Sequence, residues 1–144
     1  MSVKPSLKHK TALVTGSTSG IGLGIAQALA GAGCNLVING FGDAAQIEQL
    51  RTRLATQYDV RVLFDAADMS QPAQIKTMVE RAVAQFGAID VLVNNAGIQH
   101  VAPVDEFPPE KWDAILAINL SSNFHTIRTA LPAMKQRGWG RIIN

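Results

Sequence analysis

Thr15-Gly16-Ser17-Thr18-Ser19-Gly20-Ile21-Gly22 follows directly on the apolar run Ala12-Leu13-Val14 and leads into an apolar, helix-patterned stretch that lasts to Ala32. Strand, glycines, helix: that order decides the fold. Gly16 lets the chain turn sharply off the strand, while Gly20 and Gly22 let backbone approach a pyrophosphate and let the helix pack close on the sheet. The free N–H groups and positive end of that helix then face an anion, and the hydroxyls of Ser17, Thr18 and Ser19 add neutral donors. The spacing is G-x-x-x-G-x-G rather than G-x-G-x-x-G, and no Lys-Ser/Thr pair follows the last glycine, which sets aside a Walker-type phosphate loop. The competing reading is a purely structural strand-to-helix turn, which the strand before and the helix after disfavour.

The pattern extends outward. Apolar runs of strand length recur at Leu36-Val37-Ile38, Val60-Arg61-Val62-Leu63-Phe64, Ile89-Asp90-Val91-Leu92-Val93 and Arg141-Ile142-Ile143. Continuous runs of this kind suit strands covered on both faces, as in parallel sheets. Helical patterns occupy residues 20–32, 43–57, 70–87 and 109–137. Gly33 and Gly138 stop the first and last of them, and Ser70 reads as an N-cap with Pro72 in the first turn. Strict alternation of strand and helix predicts an α/β fold, a Rossmann-type doubly wound parallel sheet with right-handed crossovers. No repeat, low-complexity tract or linker divides residues 1–144. The sequence ends inside the fifth strand pattern with no helix to cover it, so the expectation is a domain truncated after its fifth strand, the first half of something larger.

Composition narrows the function classes. With 47% hydrophobic and 17% charged residues the chain belongs with soluble globular proteins rather than disordered ones. No apolar run approaches the ~18–20 residues that span a bilayer, and Met1-Ser2-Val3-Lys4-Pro5-Ser6 has no apolar signal core, so a cytoplasmic protein without a membrane partner is expected. A net charge of +2 with scattered basic residues offers no nucleic-acid face. Cys34, the one cysteine, reads as packing, and no His/Asp/Glu cluster has metal-ligand spacing, so no metal is expected.

Two motifs in order carry a resemblance. Thr15 to Gly22 resembles the T-G-x-x-x-G-I-G cofactor motif of the short-chain dehydrogenase/reductase family, and Asn94-Asn95-Ala96-Gly97 after the fourth strand resembles its N-N-A-G motif. Asp68 and Asn119 also fall where that family has functional residues. Within the family, Asn39-Gly40-Phe41-Gly42-Asp43-Ala44-Ala45 and Asn94-Asn95-Ala96-Gly97-Ile98-Gln99-His100 are similar to the bacterial branch acting on D-3-hydroxybutyrate. The resemblance implies an NAD-dependent oxidoreductase interconverting (R)-3-hydroxybutyrate and acetoacetate in the complete protein, with the cofactor-binding half here. It implies that Gly16, Thr18, Gly20 and Ile21 line the pyrophosphate and its ribose, that Phe41 packs near the adenosine, and that Asp68 and Met69 hold the adenine edge. Asn95 and Gly97, flanking Ala96, would meet the nicotinamide-side ribose with Ile118 nearby. Asn119 would support a proton-relay water as part of the catalytic set, and Gln99 would bind the substrate carboxylate. A homotetramer is implied too. Two alternatives stay open: a 3-oxoacyl reductase of the same family, or a non-catalytic dinucleotide-binding module.

The departures and competing readings matter. The family's catalytic Ser and Tyr-x-x-x-Lys are absent; Tyr58, the one tyrosine, has no lysine four positions on and reads as surface. Residues 1–144 alone are therefore expected to lack turnover. Asn119 is a poor mid-helix residue between apolar neighbours, so burial with partners is expected, against a solvent-facing side chain. Asp68 could equally cap a turn. Gln99 could be a solvated loop residue, although ligands in doubly wound sheets bind beyond the strands' carboxyl ends. Trp112, Ile115, Leu116 and Leu120 share helical spacing and read as core or subunit interface. The second strand is followed by no cation, and Ser19 precedes Gly20, so an NADP 2′-phosphate has no partner and NAD is expected; the acidic residue typical of NAD sites is missing as well.

Overall fold

The computed structural model describes residues 7–144. The opening six residues, on which part of the cytoplasmic expectation rested, lie outside the described residues. The chain folds as β1 (Thr11–Val14), α1 (Gly20–Gly31), β2 (Asn35–Asn39), α2 (Ala44–Tyr58), β3 (Val62–Asp65), α3 (Pro72–Phe86), β4 (Val91–Val93), α4 (Pro109–Leu116), α5 (Ser122–Arg137) and β5 (Arg141–Ile143). The five strands form one sheet in the order β3-β2-β1-β4-β5, every neighbouring pair parallel. The order reverses between β1 and β4, the switch point beside which doubly wound sheets bind their ligands. Among the described residues no helix is long and apolar enough to cross a membrane.

The strands separate two cores by alternation. Ala12, Val14, Leu36, Ile38, Val91 and Val93 face α1 and α2 together with Ala26, Ala30, Leu50 and Leu54. Leu13, Val37 and Leu92 point the other way, against Ile75, Met78, Val79 and Ala82 of α3 and Ala130 and Met134 of α5. Each fully buried aliphatic side chain contributes on the order of 1.5–3 kcal/mol, which is why the central strands read so clearly as apolar runs. Cys34 is fully buried in the first core. Burial, with the Asp90 carboxylate adding to it, pushes its thiol up to about 11, so it is a packing residue.

The amino edge of the sheet is pinned by charge. Asp90 accepts from the Thr11 N–H at 2.9 Å and sits 3.7 Å from both Lys10 Nζ and Arg137 Nη2. Lys10 and Arg141 also lie over the Trp139 ring, 4.3 and 4.9 Å from its centroid. The opposite, carboxyl edge is left to the loops.

Three local expectations need correction. Gln71, not Ser70, is the N-cap of α3, and its side chain makes no capping bond. Pro72 sets the first helical position, while the N–H and hydroxyl of Ser70 are both taken by Asp68 Oδ1, at 2.8 and 2.7 Å. Tyr58 is not simply on the surface: it is partly buried against the first core, its ring along Gly31. The single helix expected over residues 109–137 is interrupted by a π turn at Ala117–Ser121, between α4 and α5.

Candidate functional site

At the carboxyl edge a cleft of about 330 Å³ opens between the loops after β1, β2, β3 and β4. Gly16, Thr18 and Ser19 form one wall. Asn39, Gly40 and Phe41 and then Met69 form the next, and Asn95, Ala96, Gly97, Ile98 and Ile118 close the other end. Of the residues singled out from the sequence, Gly16, Thr18, Ser19, Phe41, Met69, Asn95, Ala96, Gly97 and Ile118 meet here. Asn39, Gly40 and Ile98 line it as well and were not anticipated. The signal for Asn39-Gly40 was in hand: a polar residue and a glycine end the second apolar run, where strand ends face the cleft.

The glycine loop leaves backbone donors uncapped beside the cleft. Gly16 and Gly20 adopt φ of +61° and +57°, which side-chain-bearing residues resist. Ser19 is the N-cap of α1 and its side chain makes no capping bond, so the first-turn N–H groups have no side-chain acceptor and open beside the cleft. A Cβ on Gly20 would meet nothing within 4 Å. Uncapped amides, a helix dipole and open space fit a pyrophosphate. Gly22, buried in the first turn of α1, acts sterically: a Cβ there would collide with the Gly16 carbonyl oxygen and Asn95 Nδ2. Ile21 is 79% exposed and outside the cleft lining.

Ser17 does something other than offer a hydroxyl to an anion. It is fully buried, its Oγ donating to the Val14 carbonyl at 2.6 Å and accepting from the Asn39 N–H at 3.1 Å. Thr15 joins the loop to β4: its Oγ1 accepts from the N–H groups of Asn95 and Ala96, both at 3.0 Å. Asn95 reaches back, Nδ2 donating to the Thr15 and Gly16 carbonyls at 3.0 Å. Asn94 points inward to Thr126 Oγ1 at 2.6 Å and to Asn144 Oδ1 at 2.8 Å. The two asparagines of the N-N-A-G stretch thus brace the loop and the sheet.

Asp68 behaves as the turn reading has it, accepting from Ser70, while its own N–H donates to Gln74 Oε1 at 2.9 Å. Asn119 is exposed rather than buried, yet it has partners. Its Oδ1 accepts from the Ile98 N–H and its Nδ2 donates to the Ile98 carbonyl, both at 2.9 Å. The π turn carries Asn119, and the extra residue per turn swings it towards the loop after β4; such bulges are frequent at functional sites. Gln99 is exposed one residue beyond that clamp. Trp112, Leu116 and Leu120 are 57%, 38% and 65% exposed, so the core half of that expectation fails.

A family model described as short chain dehydrogenase matches residues 10–144. The chain belongs to the short-chain dehydrogenase family. It is 60% identical over 139 residues to D-beta-hydroxybutyrate dehydrogenase of Cupriavidus necator, covering 96% of this chain and 53% of that protein. It is 53% identical over 135 residues to the enzyme of the same name from Rhizobium meliloti, covering 94% and 52%. Among solved structures, a gluconate 5-dehydrogenase from Burkholderia cenocepacia in complex with NADP and tartrate matches with a TM-score of 0.87 at 38% identity, over 96% of this chain and 54% of that one. A short-chain dehydrogenase from the same organism, also with NADP, matches with a TM-score of 0.83 at 31% identity, over 88% and 51%. The chain spans about half the length of these family members.

Proposed function

We propose that the chain supplies the NAD-binding half of a cytoplasmic oxidoreductase that interconverts (R)-3-hydroxybutyrate and acetoacetate. The observation that carries this reading is the cleft, in which an uncapped helix N-terminus and the Asn95–Ile98 turn share one wall-to-wall space. The names of the two relatives above support the substrate. A nicotinamide dinucleotide supplies hydride transfer when bound. The residues of this chain bind and orient it: Gly16, Thr18, Ser19 and the first turn of α1 at the pyrophosphate, Phe41 and Met69 at the adenosine end, Asn95, Ala96, Gly97 and Ile118 at the nicotinamide end. Asn119, clamped on Ile98, fixes the turn from which Gln99 would donate to the substrate carboxylate without adding a second full charge. Residues 1–144 hold no Tyr-x-x-x-Lys that could take the alcohol proton.

The preference for NAD rests on the lining. Among the described residues no Lys or Arg borders the cleft. Arg51, the nearest cation after β2, is spent on Glu48 and the Val62 carbonyl. A missing charge-assisted contact to the 2′-phosphate costs NADP ~1–3 kcal/mol. The steady-state kinetics of the full-length protein test both halves at once. NAD should be preferred over NADP by about tenfold or more. Gln99→Ala should lose ~1.5–3 kcal/mol in kcat/KM for 3-hydroxybutyrate, with the KM for NAD held. Tighter use of NADP, the cofactor in both solved structures above, would refute the first statement. An equal loss on a neutral secondary alcohol would refute the second.

We also propose that Trp112, Leu116, Leu120 and Phe124, exposed along α4, the π turn and α5, form a face between subunits of a homo-oligomer. Leu120→Glu should lower the sedimenting mass of the full-length protein, and an unchanged assembly would remove this face from the interface.

A further inference from the structure

Asn39, the last residue of β2, is 1% exposed and its side chain is almost fully committed. Oδ1 accepts from the Gly16 N–H at 3.1 Å. The two N–H bonds of Nδ2 go to the carbonyls of Asp65 and Ala67, at 3.1 and 3.0 Å. Its backbone N–H donates to Ser17 Oγ at 3.1 Å and its carbonyl accepts from the Ser17 N–H at 2.7 Å. One side chain therefore ties the glycine loop to the exit of β3, the segment that leads to Met69. Next to it, a Cβ on Gly40 would run into the Thr18 side chain, so the loops after β1 and β2 also touch directly. The wall joining the pyrophosphate end of the cleft to its adenosine end is built on this residue.

In NAD-binding doubly wound domains the end of the second strand carries an acidic residue that reaches the adenosine ribose. Here that place holds an amide turned inward, with both donors used. We infer that Asn39 is a positioning residue for the adenosine half of the dinucleotide. It sets the separation of the Gly16–Ser19 loop from the β3 exit and makes no contact with the ribose itself. The inference rests on the dinucleotide reading given above. Asn39→Asp separates the possibilities, because it keeps the shape and the acceptor for Gly16 but turns two donors into acceptors facing two carbonyls. A ribose contact would tolerate or improve with that change, whereas a positioning role must suffer from it.

Calorimetric titration of the full-length protein and of Asn39→Asp and Asn39→Ser, with ADP and separately with nicotinamide mononucleotide, tests this. The expected result is a loss of about tenfold or more in ADP affinity in both variants, with nicotinamide mononucleotide affinity essentially unchanged. ADP binding equal to wild type or tighter in Asn39→Asp would overturn the inference in favour of a ribose contact. Equal loss for both ligands would reduce Asn39 to general support of the fold. Should Asn39→Asp fail to fold, a crystal structure of the wild-type full-length protein with ADP decides: Asn39 still bonded to Gly16, Asp65 and Ala67 supports the inference, and its side chain within hydrogen-bond distance of the ribose overturns it. A wild-type protein that binds neither ligand nor NADH would instead sink the dinucleotide reading, and this inference with it.

Discussion

Gly22→Ala is expected to weaken NADH binding to the full-length protein about a hundredfold or more, which corresponds to ~2.7 kcal/mol. The new methyl group would land on the Gly16 carbonyl oxygen and on Asn95 Nδ2. Neither can give way cheaply. The first is backbone in a left-handed turn whose own Cβ position is already blocked by Ala96, 2.9 Å away at Cα. The second is held by the Thr15 and Gly16 carbonyls. Overpacking of this kind costs ~1–3 kcal/mol, and losing the two Asn95 bonds adds ~0.5–1.5 kcal/mol each. Because the strain sits between the glycine loop and the β4 turn, it should open the cleft as well as lower stability. Gly24→Ala is the matched control: it lies in the same helix, exposed, and a Cβ there meets nothing within 4 Å. That change should stabilise by up to ~1 kcal/mol through helix propensity and leave NADH affinity alone. Fluorescence titration and chemical denaturation of the two variants check the contrast. Similar behaviour of the two would refute the steric account of Gly22.

Thr15→Val should be nearly as costly although it changes one atom. Thr15 is 1% exposed, and its hydroxyl oxygen is the acceptor for two consecutive backbone N–H groups, those of Asn95 and Ala96. Valine keeps the volume and removes both acceptor bonds. An unsatisfied buried donor costs ~1–3 kcal/mol; Asn95 and Ala96 are only partly buried, so a total of ~2–4 kcal/mol is expected. Urea denaturation should report that loss at an unchanged slope, and the Kd for NADH should rise with it, since the freed turn is one wall of the cleft. A stability within ~0.5 kcal/mol of wild type, the range of an ordinary surface change, would contradict the bracing role of Thr15.

Much of this fold is legible in the sequence because the sheet is parallel and covered on both faces. Ala12–Leu13–Val14 and Leu36–Val37–Ile38 are fully buried, and such strands advertise themselves as unbroken apolar runs. The glycine loop is legible for a related reason: glycine accepts the positive φ of Gly16 without steric cost and leaves room for the close approach at Gly22, so backbone geometry is written into residue identity. What escaped depends on partners far away in sequence. The π turn at Ala117–Ser121 is tied to Asn119 meeting the Ile98 backbone, 21 residues distant, and helix periodicity carries no trace of that contact. The inward turn of Ser17 is set by Asn39, and Asn39 in turn by Asp65 and Ala67; none of these pairings has a local signature. Ser70 misled because a good capping residue two positions before a proline can bond to an upstream aspartate instead. The exposure of Trp112, Leu116 and Leu120 was hidden for the same reason: helical spacing identifies an apolar stripe but not what covers it.

The cleft at the β1–β4 switch point is proposed to hold a nicotinamide dinucleotide. The most direct measurement is a crystal structure of the full-length protein soaked with NADH. The expected result is the pyrophosphate against Gly16, Thr18, Ser19 and the first-turn amides of α1, the adenine beside Phe41 and Met69, and the nicotinamide ribose against Asn95 and Gly97. A dinucleotide bound in the reverse direction, or away from the glycine loop altogether, would contradict it.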